Sequence, residues 1–405
     1  MPSKRTSAIA VRRLPFVLLW PIFVFITAGC GSDGEAPEAL IRPATTEELL
    51  RPGPYGVGFV ETVLEDRSRP TMANRSFPGS DRRVLPATVW YPTTDSSRGL
   101  GEQRAAPFAA TAAPAPVVVY SHGFLSNRRG GAYIAQHLVT HGFVVAAVDF
   151  PLSSFSAPGG ATLGDLANQP GDVSFLLNAL LHGTEAAFAF LAGRLDPQRV
   201  GLTGLSLGGA TTLLTTFHPT LRDPRVRAAV AYAPPACFLG PRFYATASVP
   251  LALVHGDLDA IVPYAEHALF AFQQAGPPKY LFTLKRGNHT AFTDGADVLF
   301  GQMQNADDLG CSALGSALAN DPAAVNFAQN LGGAEAGIVS GNCPIPCARG
   351  PSNPPAMAPQ RQLALAKAIA LAHFEAWLRG SVAARLWEEQ QAQAENSDLE
   401  VFWTR

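Results

Sequence analysis

The sequence predicts an α/β architecture: a mostly parallel sheet covered by helices on both faces. Three observations predict it. From residue 116 onward, short β-branched runs alternate with stretches of helical spacing. The strand runs are apolar almost throughout, as strands buried on both faces are. Several of these strands end in glycine-flanked loops, which in such a sheet leave from the carboxyl edge where sites form.

The elements follow in order. "VGFVETV" (57–63) and "VLPATVWYP" (84–92) read as strands on either side of the polar stretch "RSRPTMANRSFPGSDRR". The low-complexity stretch from Thr93 to Pro116 predicts a long surface loop. "PVVVYSHG" (116–123) is a strand. "GAYIAQHLVTHG" (131–142) has helical spacing through Tyr133, Ile134, Leu138 and Val139, and stops at Gly142. "FVVAAVDFP" (143–151) is a strand, and "QPGDVSFLLNALLHG" (169–183) a helix with Pro170 near its start. "RVGLTG" (199–204) is a strand and "LGGATTLLTTFH" (207–218) a helix. Strands 227–234 and 250–256, helix 263–276 and strand 279–287 continue the alternation. The last helix, 359–380, carries Leu365, Ile369, Ala372 and Trp377 close to one face.

Composition narrows the function class. The 405 residues are 47% apolar and 15% charged, enough apolar matter for a large core. A net charge of -2 leaves no basic footprint for nucleic acid. Residues 1–29 read as a signal peptide: Lys4, Arg5, Arg12 and Arg13, then an apolar run broken by Pro15 and Pro21, then small residues. That run is shorter than the roughly 20 residues a spanning helix needs. "TAGC" resembles a bacterial lipobox with Thr27 at the usual leucine position, which makes Cys30 a candidate lipid-attachment residue. The alternative is cleavage near Cys30 with no lipid. Either way the protein is expected outside the bacterial cytoplasm, lipid-anchored or secreted. Residues 30–54 read as a tether, 55–385 as the main domain with an insertion over about 296–358, and 386–405 as a C-terminal extension. Cys237, Cys311, Cys343 and Cys347 predict two disulfides in an oxidising compartment, with three connectivities open. No C-x-x-C pair or nearby histidine supports zinc, and no metal or organic cofactor is implied.

The candidate chemistry centres on "GLTGLSLGGATT". Ser206 stands between Gly204 and Gly208, directly after a strand and before a helix, the context of a nucleophile elbow. A serine hydroxyl needs a base, and the base an orienting acid. In folds of this type the chain order is Ser, then Asp or Glu, then His. His289, in the loop "KRGNHTAF" after the last strand of the alternation, is the preferred base. His255 precedes the acid. His218, His267 and His373 fall in or at the ends of helices and are expected as solvated surface residues. In "VHGDLDAIVP", Asp259 is preferred as acid, with Asp257 expected to brace the loop; Asp149 breaks the chain order. The oxyanion needs two N–H donors, expected from Leu207 and Phe124. His122 is expected to shape the Phe124 loop.

Together, "VVVYSHGFLSNRRGGAYIAQHLVTHGFVVAAVDFP", "QPGDVSFLLNAL", "RVGLTGLSLGGATT", "HGDLDAIVP" and "GNHTAF" resemble the α/β-hydrolase superfamily. Within it they resemble the dienelactone-hydrolase-like branch, with its platelet-activating-factor acetylhydrolases, chlorophyllase-like proteins and bacterial polyester hydrolases. The resemblance spans about Tyr55 to Asp294 and the last helix. It implies Ser206, Asp259 and His289 as a catalytic triad with Phe124 and Leu207 as oxyanion hole. Dienelactone hydrolases proper carry a cysteine nucleophile, and here it is serine. Polyester hydrolases typically place a tryptophan before the triad acid; "ASVPLALVHG" has none, which argues against polyester cleavage. The resemblance implies a serine carboxylic ester hydrolase. The alternatives are a phospholipid acyl hydrolase, which a lipid anchor would suit, and a non-catalytic binding protein on a hydrolase scaffold. The Cys-containing insertion after His289 is expected either to roof the pocket or to form a disulfide-pinned surface excursion.

Overall fold

The computed structural model describes residues 41–319, 321, 323, 328–339, 343–348 and 353–405. The expected signal peptide and Cys30 lie outside the described residues. Ten strands are described: β1 (Gly56–Asp66), β2 (Arg83–Thr93), β3 (Glu102–Arg104), β4 (Ala115–Ser121), β5 (Val144–Val148), β6 (Leu195–Leu205), β7 (Val226–Tyr232), β8 (Leu251–Gly256), β9 (Lys279–Leu284) and β10 (Leu399–Thr404). They form one sheet in the order β10-β9-β8-β7-β6-β4-β5-β2-β1-β3. From β5 to β9 every neighbouring pair is parallel. β2 joins β5, and β10 joins β9, antiparallel. This is the mostly parallel α/β architecture that the alternation predicts, and it agrees with the fold that the resemblance implies.

The apolar runs explain the layering. In β4, Val117 and Val119 pack into the core that holds Val173, Leu176, Leu177 and Leu180 of the helix Gln169–His182. Val118 and Tyr120, on the opposite face, pack with Leu365, Ile369 and Ala372 of the closing helix Pro359–Leu378. Alternate residues of one strand thus feed two cores. The helix Leu207–Phe217 is buried along its whole length. Its threonines tolerate this because each hydroxyl donates to a carbonyl one turn back: Thr211 to Leu207, Thr212 to Gly208, Thr215 to Thr211 and Thr216 to Thr212, at 2.7–3.0 Å.

The strand order positions the site. From β4 the chain moves to β5 on one side and then returns to β6 on the other. Ligands in open α/β sheets bind at such a switch, outside the carboxyl ends of the strands. Ser121, ending β4, lies in register with Gly204, near the end of β6.

Several segments differ from expectation. The loop from Thr93 to Pro116 contributes β3, a three-residue polar strand with no apolar pattern to reveal it. It is fixed through Glu102, which accepts from Trp90 Nε1 at 2.7 Å and from Arg129 at 2.6 Å. Residues 41–54, expected in a tether, include a capped helix, Thr46–Leu50. Thr46 donates through its N–H and its hydroxyl to Glu395 at 2.6 and 2.7 Å, so this segment packs on the chain's other end. Residues 386–405, expected as an extension, complete the sheet through β10. The insertion contains a helix, Asp307–Leu318. Of the three disulfide connectivities, the structure has Cys237–Cys343 and Cys311–Cys347. Among the described residues no helix is long and apolar enough to cross a membrane.

One buried ion cluster ties β2 to the Gln169–His182 helix. Arg83, with no exposed side-chain surface, donates to both oxygens of Asp172 at 2.6 Å and to both of Asp165 at 3.1 and 2.8 Å. Removing one partner strands the others in a water-free interior. Arg83→Met is therefore expected to destabilise the protein by about 3–5 kcal/mol. Urea unfolding checks this, with the loss read as a lower midpoint at unchanged slope.

Candidate active site

Ser206 follows β6 directly and precedes the helix Leu207–Phe217. Its backbone is at φ 56, ψ -120, a conformation rare for a residue with a side chain. Two bonds hold it there: its N–H donates to Tyr232 O on β7 at 2.9 Å, and its carbonyl accepts from Ala210 N at 3.0 Å. The flanking glycines are required by close approach. A Cβ on Gly204 would lie 2.3 Å from Gly208 O, and one on Gly208 would lie 2.0 Å from Ser121 O. The same crowding brings the loop after β4 against the elbow, where a Cβ on Gly123 would lie 3.4 Å from Ser206 Cβ.

Asp259 and His289 come from the loops after the neighbouring strands β8 and β9. His289 Nδ1 donates to Asp259 Oδ2 at 2.7 Å. The other oxygen of Asp259 accepts from the N–H groups of Ile261 and Val262 at 2.9 and 2.6 Å. Burial pushes the Asp259 carboxyl up, but the His289 and His255 rings beside it outweigh that and hold it well below the usual carboxylate range. Burial pushes the His289 imidazole down, while Asp259 and then Asp307 outweigh it and leave it raised above an ordinary histidine. The structure thus closes the acid–base half of the expected relay. Among the described residues no hydrogen bond joins His289 to the Ser206 hydroxyl, a contact that commonly tightens only when substrate binds.

The rejected candidates have other work. Asp257 braces the loop, accepting from Arg286 N at 2.6 Å. Asp149 pins the loop after β4 through Arg128, at 2.6 Å to its N–H and 2.6 Å to its guanidinium. His122 is fully buried: its Nε2 accepts from Phe150 N at 3.0 Å, so its Nδ1 carries the proton and donates to Gly123 O at 2.7 Å. It shapes the Phe124 loop, as expected. His218, His267 and His373 correct the expectation of solvated surface histidines, since all three are buried. His218 bonds Leu331 O at 3.0 Å. His267 accepts from Ala236 N at 3.0 Å, and His373 pairs with the buried Glu388 at 2.8 Å. Helix position alone could not reveal that their faces meet other elements.

The expected oxyanion donors lie on either side of the elbow. Leu207 is the first residue of its helix, directly after Ser206, so its N–H has no partner one turn back and lies at the helix's positive end. Phe124 follows Gly123, which touches the elbow. Among the described residues neither N–H is used in a backbone hydrogen bond.

Two residues escaped sequence reasoning. His255 Nε2 lies 3.1 Å from Asp259 Oδ2 while bonded to Val262 O at 2.7 Å, so a second imidazole supports the acid. Asp307 accepts from His289 N at 3.1 Å, Thr290 N at 2.7 Å and Ala260 N at 2.9 Å. The spacing of His255 to Asp259 carried a faint signal; Asp307 carried none. Two cavities, of about 540 Å³ beside Tyr91, Phe108 and Phe190 and about 330 Å³ beside Phe77 and Pro151, are lined by none of Ser206, Asp259 and His289.

Comparisons with known proteins bear on the family and the fold. The model of a family described as PETase, PET hydrolase-like, matches residues 87–305, more than half of the chain. Cutinase 1 of Thermobifida cellulosilytica is 26% identical over 45% of this chain and 55% of its own length. A bis(hydroxyethyl) terephthalate hydrolase of Streptomyces coelicolor is 28% identical over 56% of this chain and 57% of its own length. The chain thus spans little more than half the length of these curated relatives. In solved structures, a ferulic acid esterase from Streptomyces cinnamoneus superposes with a TM-score of 0.55 at 20% identity, covering 92% of this chain and 98% of that one, a likeness of fold.

Gly208→Ala places a methyl group 2.0 Å from Ser121 O, so the elbow or β4 must shift. The substitution is expected to lower stability by about 1–3 kcal/mol. Thermal unfolding beside an alanine substitution at Gly276, where an added methyl group meets nothing within 4 Å and the backbone has no positive φ, checks it.

Proposed function

Because the chain belongs to the PET hydrolase-like family of α/β-hydrolases, we propose that it is a serine hydrolase of carboxylic esters acting through Ser206, His289 and Asp259. The observation that carries the reading is the buried 2.7 Å bond between Asp259 and His289, on loops two and three strands from the elbow that presents Ser206. Family membership holds although the region before Asp259 has no tryptophan. The cutinase and terephthalate-ester hydrolase relatives favour ester substrates over a binding role without catalysis.

In this mechanism His289 Nε2 takes the proton from Ser206 Oγ as that oxygen attacks the ester carbonyl. Asp259 holds the ring by Nδ1, fixes its tautomer and stabilises the imidazolium that forms. The N–H groups of Leu207 and Phe124 receive the oxyanion, each contributing about 3 kcal/mol in the transition state. His289 returns the proton to the leaving alcohol. Water then attacks the acyl-enzyme by the same route and frees Ser206. The two disulfides fit an exported protein.

A panel of nitrophenyl esters of rising acyl length, bis(hydroxyethyl) terephthalate and phospholipid dispersions tests the proposal. The wild type is expected to turn over soluble esters, and Ser206→Ala to retain its fold and lose at least ~10³-fold in kcat. Turnover that survives this substitution would move the chemistry elsewhere. Turnover of phospholipid in preference to the other esters would select the acyl-hydrolase alternative.

The pH dependence follows from His289. The base works only when neutral, so kcat/KM must rise with pH through the pKa of His289. The carboxylates of Asp259 and Asp307 raise that pKa. The acidic limb is therefore expected to centre above about 6.5, the value of an unperturbed histidine. A pH–rate profile on a soluble ester checks this.

A further inference from the structure

We infer that Asp307, in the insertion that follows the base, is a positioning residue that holds the loops of His289 and Asp259 in register. The inference rests on the proposed roles of those two residues. Asp307 has no exposed surface and opens the helix Asp307–Leu318. An acidic residue in that position ordinarily serves the free N–H groups of its own helix. Here, among the described residues, the hydrogen-bond partners of both carboxylate oxygens belong to other loops. Oδ1 accepts from Thr290 N at 2.7 Å, and Oδ2 accepts from His289 N at 3.1 Å and Ala260 N at 2.9 Å. One carboxylate thus bridges the backbone of the base itself and the residue after the acid.

The grip on Ala260 is two-sided. Its N–H goes to Asp307, and its carbonyl accepts from Cys347 N at 2.7 Å. Cys347 is bonded to Cys311, one turn along the helix that Asp307 opens. Helix, disulfide and Ala260 therefore form a closed ring around the loop of the acid. A second brace holds the base's side. Asn305 Oδ1 accepts from Asp307 N at 2.9 Å and from Asn288 Nδ2 at 3.0 Å, and Asn288 is paired through its N–H and carbonyl with Gln362 of the closing helix. The insertion is part of the machinery that aims the relay, beyond either a roof or a surface excursion.

Among the described residues, Asp259 and Asp307 are the charged groups that act on His289, His267 also senses it, and His255 shares the Asp259 oxygen that it binds. Asp307→Asn keeps the size, removes one of the two negative charges, and turns an amide N–H₂ toward at least one backbone N–H. Asp308→Asn is the control: among the described residues Asp308, next on the same helix, binds Asn353, through its N–H at 3.0 Å and its side chain at 2.8 Å. On a soluble nitrophenyl ester, Asp307→Asn is expected to lower kcat about 10- to 100-fold with KM nearly unchanged. Its acidic limb should move to lower pH. Asp308→Asn should match the wild type in all three. The pair Cys311→Ala, Cys347→Ala should lower kcat without moving the limb, because it loosens the ring and removes no charge.

A folded Asp307→Asn with wild-type kcat and an unmoved limb overturns the inference. If that variant does not fold, a folded cysteine pair variant with wild-type kcat overturns it instead. Histidine ¹⁵N NMR titration reads the same effect without turnover: the His289 pKa falls in Asp307→Asn and stays in Asp308→Asn. A wild type that cleaves no ester therefore removes the proposed function, while the titration still decides the role of Asp307.

Discussion

A carboxylate shut away from water must find all of its hydrogen bonds in the protein, and Asp259 is shut away completely. Two N–H groups of its own turn satisfy one oxygen, and two imidazoles crowd the other. Much else follows from this one requirement. The turn at 259–262 is wound tightly so that its amides face back. His255 is directed inward from the end of β8. The loop after β9 must deliver His289 to a fixed point. With the charge satisfied in this way, His289 can have only one tautomer, with Nδ1 donating and Nε2 free to act as a base.

The sheet supplies the other half of the geometry. Parallel strands deliver their carboxyl ends to one rim, and the reversal of order around β4 opens a crevice there. Into that crevice β6 thrusts a serine in a backbone conformation that only heavy bracing maintains. Tyr232 on one side and Ser121 on the other enclose the turn, and glycine is the only residue small enough at both flanking positions. The elbow and the acid–base pair are thus built by different means. Steric crowding makes the first, and electrostatic satisfaction the second.

How much of this was legible depends on the range of the interaction. The elbow was, since Gly204, Ser206 and Gly208 sit within one short segment beside a clear strand and helix. The core strands were, since runs such as "PVVVY" and "FVVAAV" state their burial outright. The pairing of Asp259 with His289 was legible through chain order. What remained hidden is set by contacts across long stretches of chain. Asp307 bonds groups 17–18 and 47 residues away, and nothing in its neighbours announces that. The burial of His218, His267 and His373 depends on elements that a helix's own sequence does not name. β3 is too short and polar to stand out, and it exists because β1 offers an edge and Trp90 an indole N–H. Four cysteines permit several pairings, and only the fold selects one.

That selection has a consequence for the integrity of the chain. Cys237 and Cys311 precede the stretch from 312 to 342, and their partners Cys343 and Cys347 follow it. A protease cutting anywhere in that stretch would produce two polypeptides joined by two covalent bonds. The larger would carry Ser206, Asp259, His289 and Asp307, and the smaller the closing helix and β10.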